Sequence, residues 1–146
     1  MAIACPVDLN TAALRSEISG IYERVASEPD GEFHFHRGPA YAGGFLGYSV
    51  DELAALPSDC TASFAGVGNP PAIGEIRAGE TILDIGCGAG MDLLLAARRT
   101  GPAGHAIGVD MTDAMSSKAL TESADFLQSA LSPHLEDASK AGAAGG

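Results

Sequence analysis

Basic residues are scarce in this sequence. Eight lysines and arginines stand against 19 acidic residues, for a formal net charge of −11. That balance repels nucleic-acid phosphates and anionic membranes, so neither is an expected partner. Cysteine is sparse too. Cys5, Cys60 and Cys87 are odd in number and widely spaced. They give neither a disulfide framework nor the paired spacing of a structural zinc site. No stretch is long and apolar enough to span a membrane. The N-terminus carries Asp8 early and has no apolar core run, which argues against a signal peptide. A reducing cytoplasm is therefore the expected setting. There is no internal repeat. What is present is 146 residues, 46% hydrophobic and 18% charged. This fits one globular domain, small for a complete doubly wound α/β enzyme.

The first half reads as helical. Asn10 or Thr11 can cap a helix that carries Leu14, Ile18, Ile21 and Val25 at helical spacing, and Pro29-Asp30-Gly31 ends it. Glu32 to His36 alternates in character, as a short strand or an extended loop would. On a strand His34 and His36 would point the same way, but two ligands without a third are weak evidence for a metal. Gly38-Pro39 and Gly43-Gly44 read as punctuation. Ser49-Val50-Asp51-Glu52 has the form of a capping box, with Leu53 and Leu56 as the apolar face and Pro57 as the stop. Residues 58–69 read as loop, and Asn69-Pro70-Pro71 as the start of a short helix.

The pattern then changes to strand, helix, strand. Thr81-Ile82-Leu83-Asp84-Ile85 is short, β-branched and apolar, which is how a strand buried on both faces reads. Asp92 sits in the first turn of a helix over Leu93 to Ala97, where its charge suits the dipole. Gly101-Pro102 stops that helix. Ala106 to Asp110 reads as a second buried strand. Thr112 can cap a further helix bearing Met115, Leu120, Leu127 and Leu131. Residues 132–146 are rich in Ala, Gly and Ser and read as a flexible tail.

Between the strands lies Asp84-Ile85-Gly86-Cys87-Gly88-Ala89-Gly90. Glycines here let the chain turn sharply and let a ligand approach without meeting a Cβ. In open α/β sheets, ligands bind at this strand-to-helix edge. A dinucleotide fingerprint would need a third glycine where Met91 stands, so it fails. The acid two residues before the first glycine would repel a pyrophosphate. It would attract the ammonium of a methionine moiety. The cofactor implied is zwitterionic or cationic, as S-adenosylmethionine is. Asp110, ending the second strand, can accept hydrogen bonds from ribose hydroxyls. Met111 can pack on an adenine. Cys87 reads as a small filler in the loop, since no base is evident beside it.

Asp84 to Gly90 resembles motif I of the class I S-adenosylmethionine-dependent methyltransferases. Gly79 to Asp84, Gly104 to Thr112, Tyr48-Ser49, Leu53 to Pro57 and Gly68-Asn69-Pro70 are similar to the arsenite methyltransferase group. The resemblance covers roughly residues 45–115. It implies an α/β Rossmann-like fold, here its N-terminal half, behind a helical N-terminal extension. It implies that Asp84 contacts the methionine amino group and that Gly86, Cys87, Gly88 and Gly90 line the cofactor. Asp110 would hold the ribose and Met111 the adenine. No catalytic base is named and no metal is expected.

Two departures shape the remaining expectations. The resembled group commonly has Cys before Gly-Asn-Pro, where this chain has Val67, and Cys60 does not match that position. Arsenic binding relies on soft thiolates, so a different small-molecule acceptor is expected. The resemblance also ends soon after Met115, whereas a full class I sheet has further strands. The expected organisation is a helical extension or cap over 1–69, a partial cofactor-binding domain over 70–131 and the tail. A truncated or frameshifted product, a fragment, or a chain whose partner completes the sheet would each look like this. The alternative to a working enzyme is a non-catalytic S-adenosylmethionine-binding remnant.

Overall fold

The computed structural model describes residues 10–130, with side chains described to Thr121. The tail over 132–146 and Leu131 lie outside the described residues, as do Cys5 and Asp8. Six α-helices, a short 3-10 turn and two β-strands follow one another in this region.

The N-terminal part is helical, as its patterning implies. Helix α1 (Thr11–Ser27) begins where the Asn10 side chain accepts the Ala13 N–H at 3.0 Å, satisfying one of the free donors of the first turn. Helix α2 (Gly38–Leu46) corrects the expectation of a glycine-punctuated loop. Pro39 suits its first turn, and Gly47, in a left-handed conformation, ends it. Gly43-Gly44 lies inside this helix. A Cβ at Gly43 would come 3.3 Å from Val50, so packing explains the small residue there.

Helix α3 (Val50–Ala54) is capped by Ser49, which accepts the Glu52 N–H at 3.3 Å. The reciprocal half of the capping box is not made. The Glu52 carboxylate instead pairs with Arg99 at 3.2 Å. Helix α4 (Ser58–Ala62) corrects the reading of 58–69 as all loop. Residues 32–36 form no strand, so the shared direction expected of His34 and His36 has no basis. His36 stacks on Tyr41 and Phe45, with ring centroids 5.4 and 6.0 Å apart. The turn at Pro70–Ala72 follows Asn69 as expected.

The strand-helix-strand unit is present. Strand β1 (Thr81–Ile85), helix α5 (Met91–Thr100) and strand β2 (His105–Val109) make a parallel pair joined by a crossover helix. Register pairs Leu83 with Ile107 and Asp84 with Gly108. Gly108 permits a close approach of the loop and helix. A Cβ there would lie 2.7 Å from Leu93 and 2.8 Å from the Cys87 sulfur. Helix α6 (Asp113–Ala130) packs back against α1. Lys118 on α6 donates to the Ala26 carbonyl at 2.9 Å, near the α1 C-terminus where a cation suits the dipole.

The strands are not buried on both faces, which corrects the expectation from their apolar sequence. Helix α5 covers the face of Ile82 and Ala106. The other face, carrying Leu83, Ile85, Ile107 and Val109, is open, and Ile85 is 80% exposed. Parallel sheets are ordinarily covered on both sides. The two strands constitute the whole sheet among the described residues.

One core joins the N-terminal helices to the strand unit. Tyr48, Leu53, Leu56, Cys60 and Phe64 pack with Met91, Leu93 to Ala97 and Ala106. No helix among the described residues is long and apolar enough to cross a membrane. Leu94 is fully buried at the centre of this core. Leu94→Ala is expected to lower unfolding stability by about 2–5 kcal/mol in urea denaturation, through lost burial and the cavity left behind.

Candidate functional site

The loop after β1 takes its shape from alternate glycines. Gly86, Gly88 and Gly90 have φ of 79°, 55° and 91°, all in the left-handed region where a side chain is strained. The loop hangs from the end of β2. The Gly86 and Cys87 N–H groups donate to the Val109 carbonyl at 2.7 and 3.1 Å. The Gly88 N–H donates to Asp110 Oδ2 at 2.9 Å, and the Thr112 N–H to Asp110 Oδ1 at 2.8 Å. Asp110 thus holds the loop against the entry to α6. A Cβ on Gly86 or Gly88 would meet nothing within 4 Å, so these backbones face open space. A Cβ on Gly90 would come 3.2 Å from that of Ala119, so this glycine serves the contact with α6.

The open space is a cavity of about 540 Å³ between the loop and the N-terminal helices. One wall holds Gly86, Cys87, Gly88, Asp110 and Met111, with Met91 and Asp92 from α5. The opposite wall holds Tyr22 from α1, Cys60 from α4 and residues 63–66. Among the residues named from the sequence, Asp84 and Gly90 stand back from this lining. His34, His36 and Val67 do not line it either, and Val67 is 95% exposed.

The electrostatics are one-sided. Asp92 and Asp110 line the cavity, and no lysine, arginine or histidine among the described residues lines it with them. Asp84 lies behind the loop on the covered face of β1. Burial first, then the charges of Asp92 and Asp110, push its carboxyl up to about 6. Its Oδ2 is buried without a hydrogen-bond partner. Burial raises Asp92 as well, opposed by the Tyr48 hydrogen bond and by Arg99. The Tyr48 hydroxyl donates to Asp92 Oδ1 at 2.7 Å and lies 3.1 Å from the Gly68 carbonyl. Burial and that carboxylate raise the phenol, which keeps it a donor. Cys87 is pushed up to about 11 by burial, then by Asp84 and Asp110, so its thiol stays protonated at neutral pH. Among the described residues, no group of three or more His, Cys, Asp or Glu side chains is arranged to hold a metal ion.

Sequence reasoning did not single out Asp92 as part of the site, having assigned it only to the helix dipole. Its position two residues beyond the last loop glycine was the available signal. Ser63 and Phe64 carried no signal, because 58–69 reads as featureless loop. Tyr22 and Met115 read simply as helix residues. Arg99 also acts beyond its own helix end. It donates to the Pro71 carbonyl at 3.1 Å and to Glu52, tying the N-terminal segment to α5.

Comparison with known proteins finds similarity in the second half of the chain. Residues 76–142 match the methyltransferase domain family. The chain is similar to the arsenite methyltransferase of Halobacterium salinarum, with 50% identity over 74 residues. The similar region is 51% of this chain and 19% of that protein, so the chain spans only a small part of the relative's length. No solved structure matches the chain.

The raised carboxyl of Asp84 has a consequence for stability. Its folded value of about 6 lies above the ordinary 3.8, so the folded state holds a proton that the unfolded state releases between those values. The stability it confers is full below pH 4 and is lost as pH rises through about 6. Asp84→Asn is expected to remove this share of the fall, measured by urea denaturation at intervals from pH 4 to 7.

Proposed function

We propose, from the match of residues 76–142 to the methyltransferase domain family, that the chain binds S-adenosylmethionine at the glycine loop. On this reading it serves methyl transfer to a small-molecule acceptor in the cytoplasm. The observation that carries the reading is a cavity whose loop wall is glycine backbone and carboxylates, with no basic side chain among the described residues that line it. A cationic or zwitterionic cofactor fits that wall. A pyrophosphate would face Asp92 and Asp110 uncompensated, which disfavours a nicotinamide dinucleotide.

The residues present fit the cofactor. Gly86 and Gly88 leave a cradle that any Cβ would fill. Asp84 stands behind the loop rather than in the cavity lining, and its assignment to the ammonium group rests on its buried, unpartnered oxygen, with Asp92 adding negative field from the lining. Each Asp110 oxygen already accepts one backbone N–H and keeps a lone pair for a ribose hydroxyl. Met111, exposed at the cavity edge, is assigned to the adenine face. When bound, S-adenosylmethionine supplies a methyl group made electrophilic by its sulfonium. The chain's own share is orientation. The loop wall fixes the methyl donor, and the opposite wall holds the acceptor in line with it, so that positioning supplies the rate enhancement. The protonated Cys87 thiol is not assigned a nucleophilic role.

The acceptor proposed is not arsenic. Val67 is exposed outside the cavity, and the Cys87 thiol is held protonated, which disfavours a thiolate cage. A second reading, a non-catalytic cofactor-binding remnant, is favoured by the open sheet face. The same open face fits a chain whose sheet is completed by further strands from a partner. Transfer of radiolabelled methyl groups to a panel of thiols, arsenite and small metabolites separates enzyme from remnant.

Isothermal titration calorimetry tests the cofactor assignment. S-adenosylmethionine is expected to bind, with Asp84→Asn weakening it about tenfold or more, as loss of a charged hydrogen bond implies. Affinity is expected to rise from pH 5 to pH 7 as Asp84 ionises. Unchanged affinity in Asp84→Asn would contradict the assignment. Tight NAD binding without S-adenosylmethionine binding would overturn the function.

A further inference from the structure

The cavity wall opposite the glycine loop has a chemistry of its own. Tyr22, Cys60 and Phe64 make it largely apolar. Ser63 belongs to the same wall and is 2% exposed. It caps the C-terminus of α4, and its N–H is spent on the Asp59 carbonyl at 3.3 Å. Its hydroxyl has no partner. The neighbouring hydroxyl of Thr61 is satisfied locally, donating to the Ser58 carbonyl at 3.0 Å. A buried hydroxyl without a partner is costly, and native proteins keep few of them. A ligand that completes its hydrogen bond accounts for one retained in a cavity wall.

Charge narrows the ligand further. Among the described residues the lining offers no cationic side chain to receive an anion, while Asp92 and Asp110 repel one across the cavity. An anionic acceptor would therefore be desolvated against like charge with nothing to pair it. An uncharged acceptor meets apolar walls and one unspent hydroxyl.

We propose that this wall is the acceptor subsite, that it takes an uncharged, mainly apolar acceptor bearing a single hydrogen-bonding group, and that Ser63 receives that group. This rests on the reading above, since it gives the glycine-loop wall to the cofactor. Ser63 is a specificity-determining residue here and has no part in moving the methyl group.

Three probes of similar size test this by ligand-observed NMR titration, with the chain alone and with saturating S-adenosylhomocysteine. N-methylaniline is uncharged with one N–H. 4-(Methylamino)benzoate adds a carboxylate. Ethylbenzene lacks the polar group. N-methylaniline is expected to bind about tenfold or more tightly than the benzoate, by the charge argument. Ser63→Ala is expected to weaken N-methylaniline about fivefold, one lost hydrogen bond. Ethylbenzene affinity should stay unchanged, which a merely structural role of Ser63 would not allow. The proposal is overturned if no probe binds or if the benzoate binds as well as N-methylaniline. It is equally overturned if Ser63→Ala leaves N-methylaniline unaffected or weakens ethylbenzene to the same degree. Failure of S-adenosylhomocysteine to bind, with the probe pattern intact in the chain alone, overturns the cofactor reading and spares the acceptor wall.

Discussion

The hydrogen bond from the Gly88 N–H to Asp110 Oδ2 joins the two ends of the site. Together with the donations of Gly86 and Cys87 to the Val109 carbonyl, it fixes the glycine loop to the end of the second strand. The cavity wall depends on this tie, because the loop has no side chains of its own to pack into place at Gly86 and Gly88. The entry to α6 depends on it too, since the other Asp110 oxygen accepts the Thr112 N–H. Helix α6 then returns to α1, and α1 contributes Tyr22 to the opposite wall. A short carboxylate thus links the loop, both strands and the N-terminal helices.

The arrangement concentrates negative charge. Burial raises the cost of ionising Asp84 and Asp92, the charges of Asp92 and Asp110 add to it at Asp84, and no basic side chain among the described residues stands in the lining. Tyr48 relieves Asp92 by donating to it, and Arg99 does so at longer range while pairing with Glu52. Asp84 has no such relief. Such unrelieved charge is the kind of strain that clusters at functional sites. A cationic ligand would remove it, which is the physical core of the cofactor reading.

Much of this was legible in the sequence where the signal is local. The three glycines, their flanking acids and the two short apolar runs specify a strand, a turn and a helix within about 30 residues, the span of a βαβ unit. The Asn10 and Ser49 caps were legible for the same reason. What escaped depends on distant packing. Gly43-Gly44 looks like a loop until Val50 closes on Gly43. Glu52 completes a capping box on paper, yet Arg99, 47 residues away, takes its carboxylate. The apolar strands read as buried on both sides, but burial needs a covering layer, and among the described residues only α5 supplies one. Asp92 read as a dipole partner because nothing nearby in sequence announces Tyr48. Ser63 carries no pattern at all, and its interest comes entirely from what surrounds it.

The most direct measurement is the carbon-13 NMR titration of the Asp84 carboxyl with and without S-adenosylhomocysteine, which carries the same amino group. In the free chain the carboxyl is expected to titrate near the value of about 6 set by burial and its acidic neighbours. With the ligand bound, an ammonium beside it favours the ionised form, so the midpoint should move well down. A midpoint unmoved by saturating ligand would contradict the claim that the glycine loop and Asp84 together hold the cofactor's methionine end.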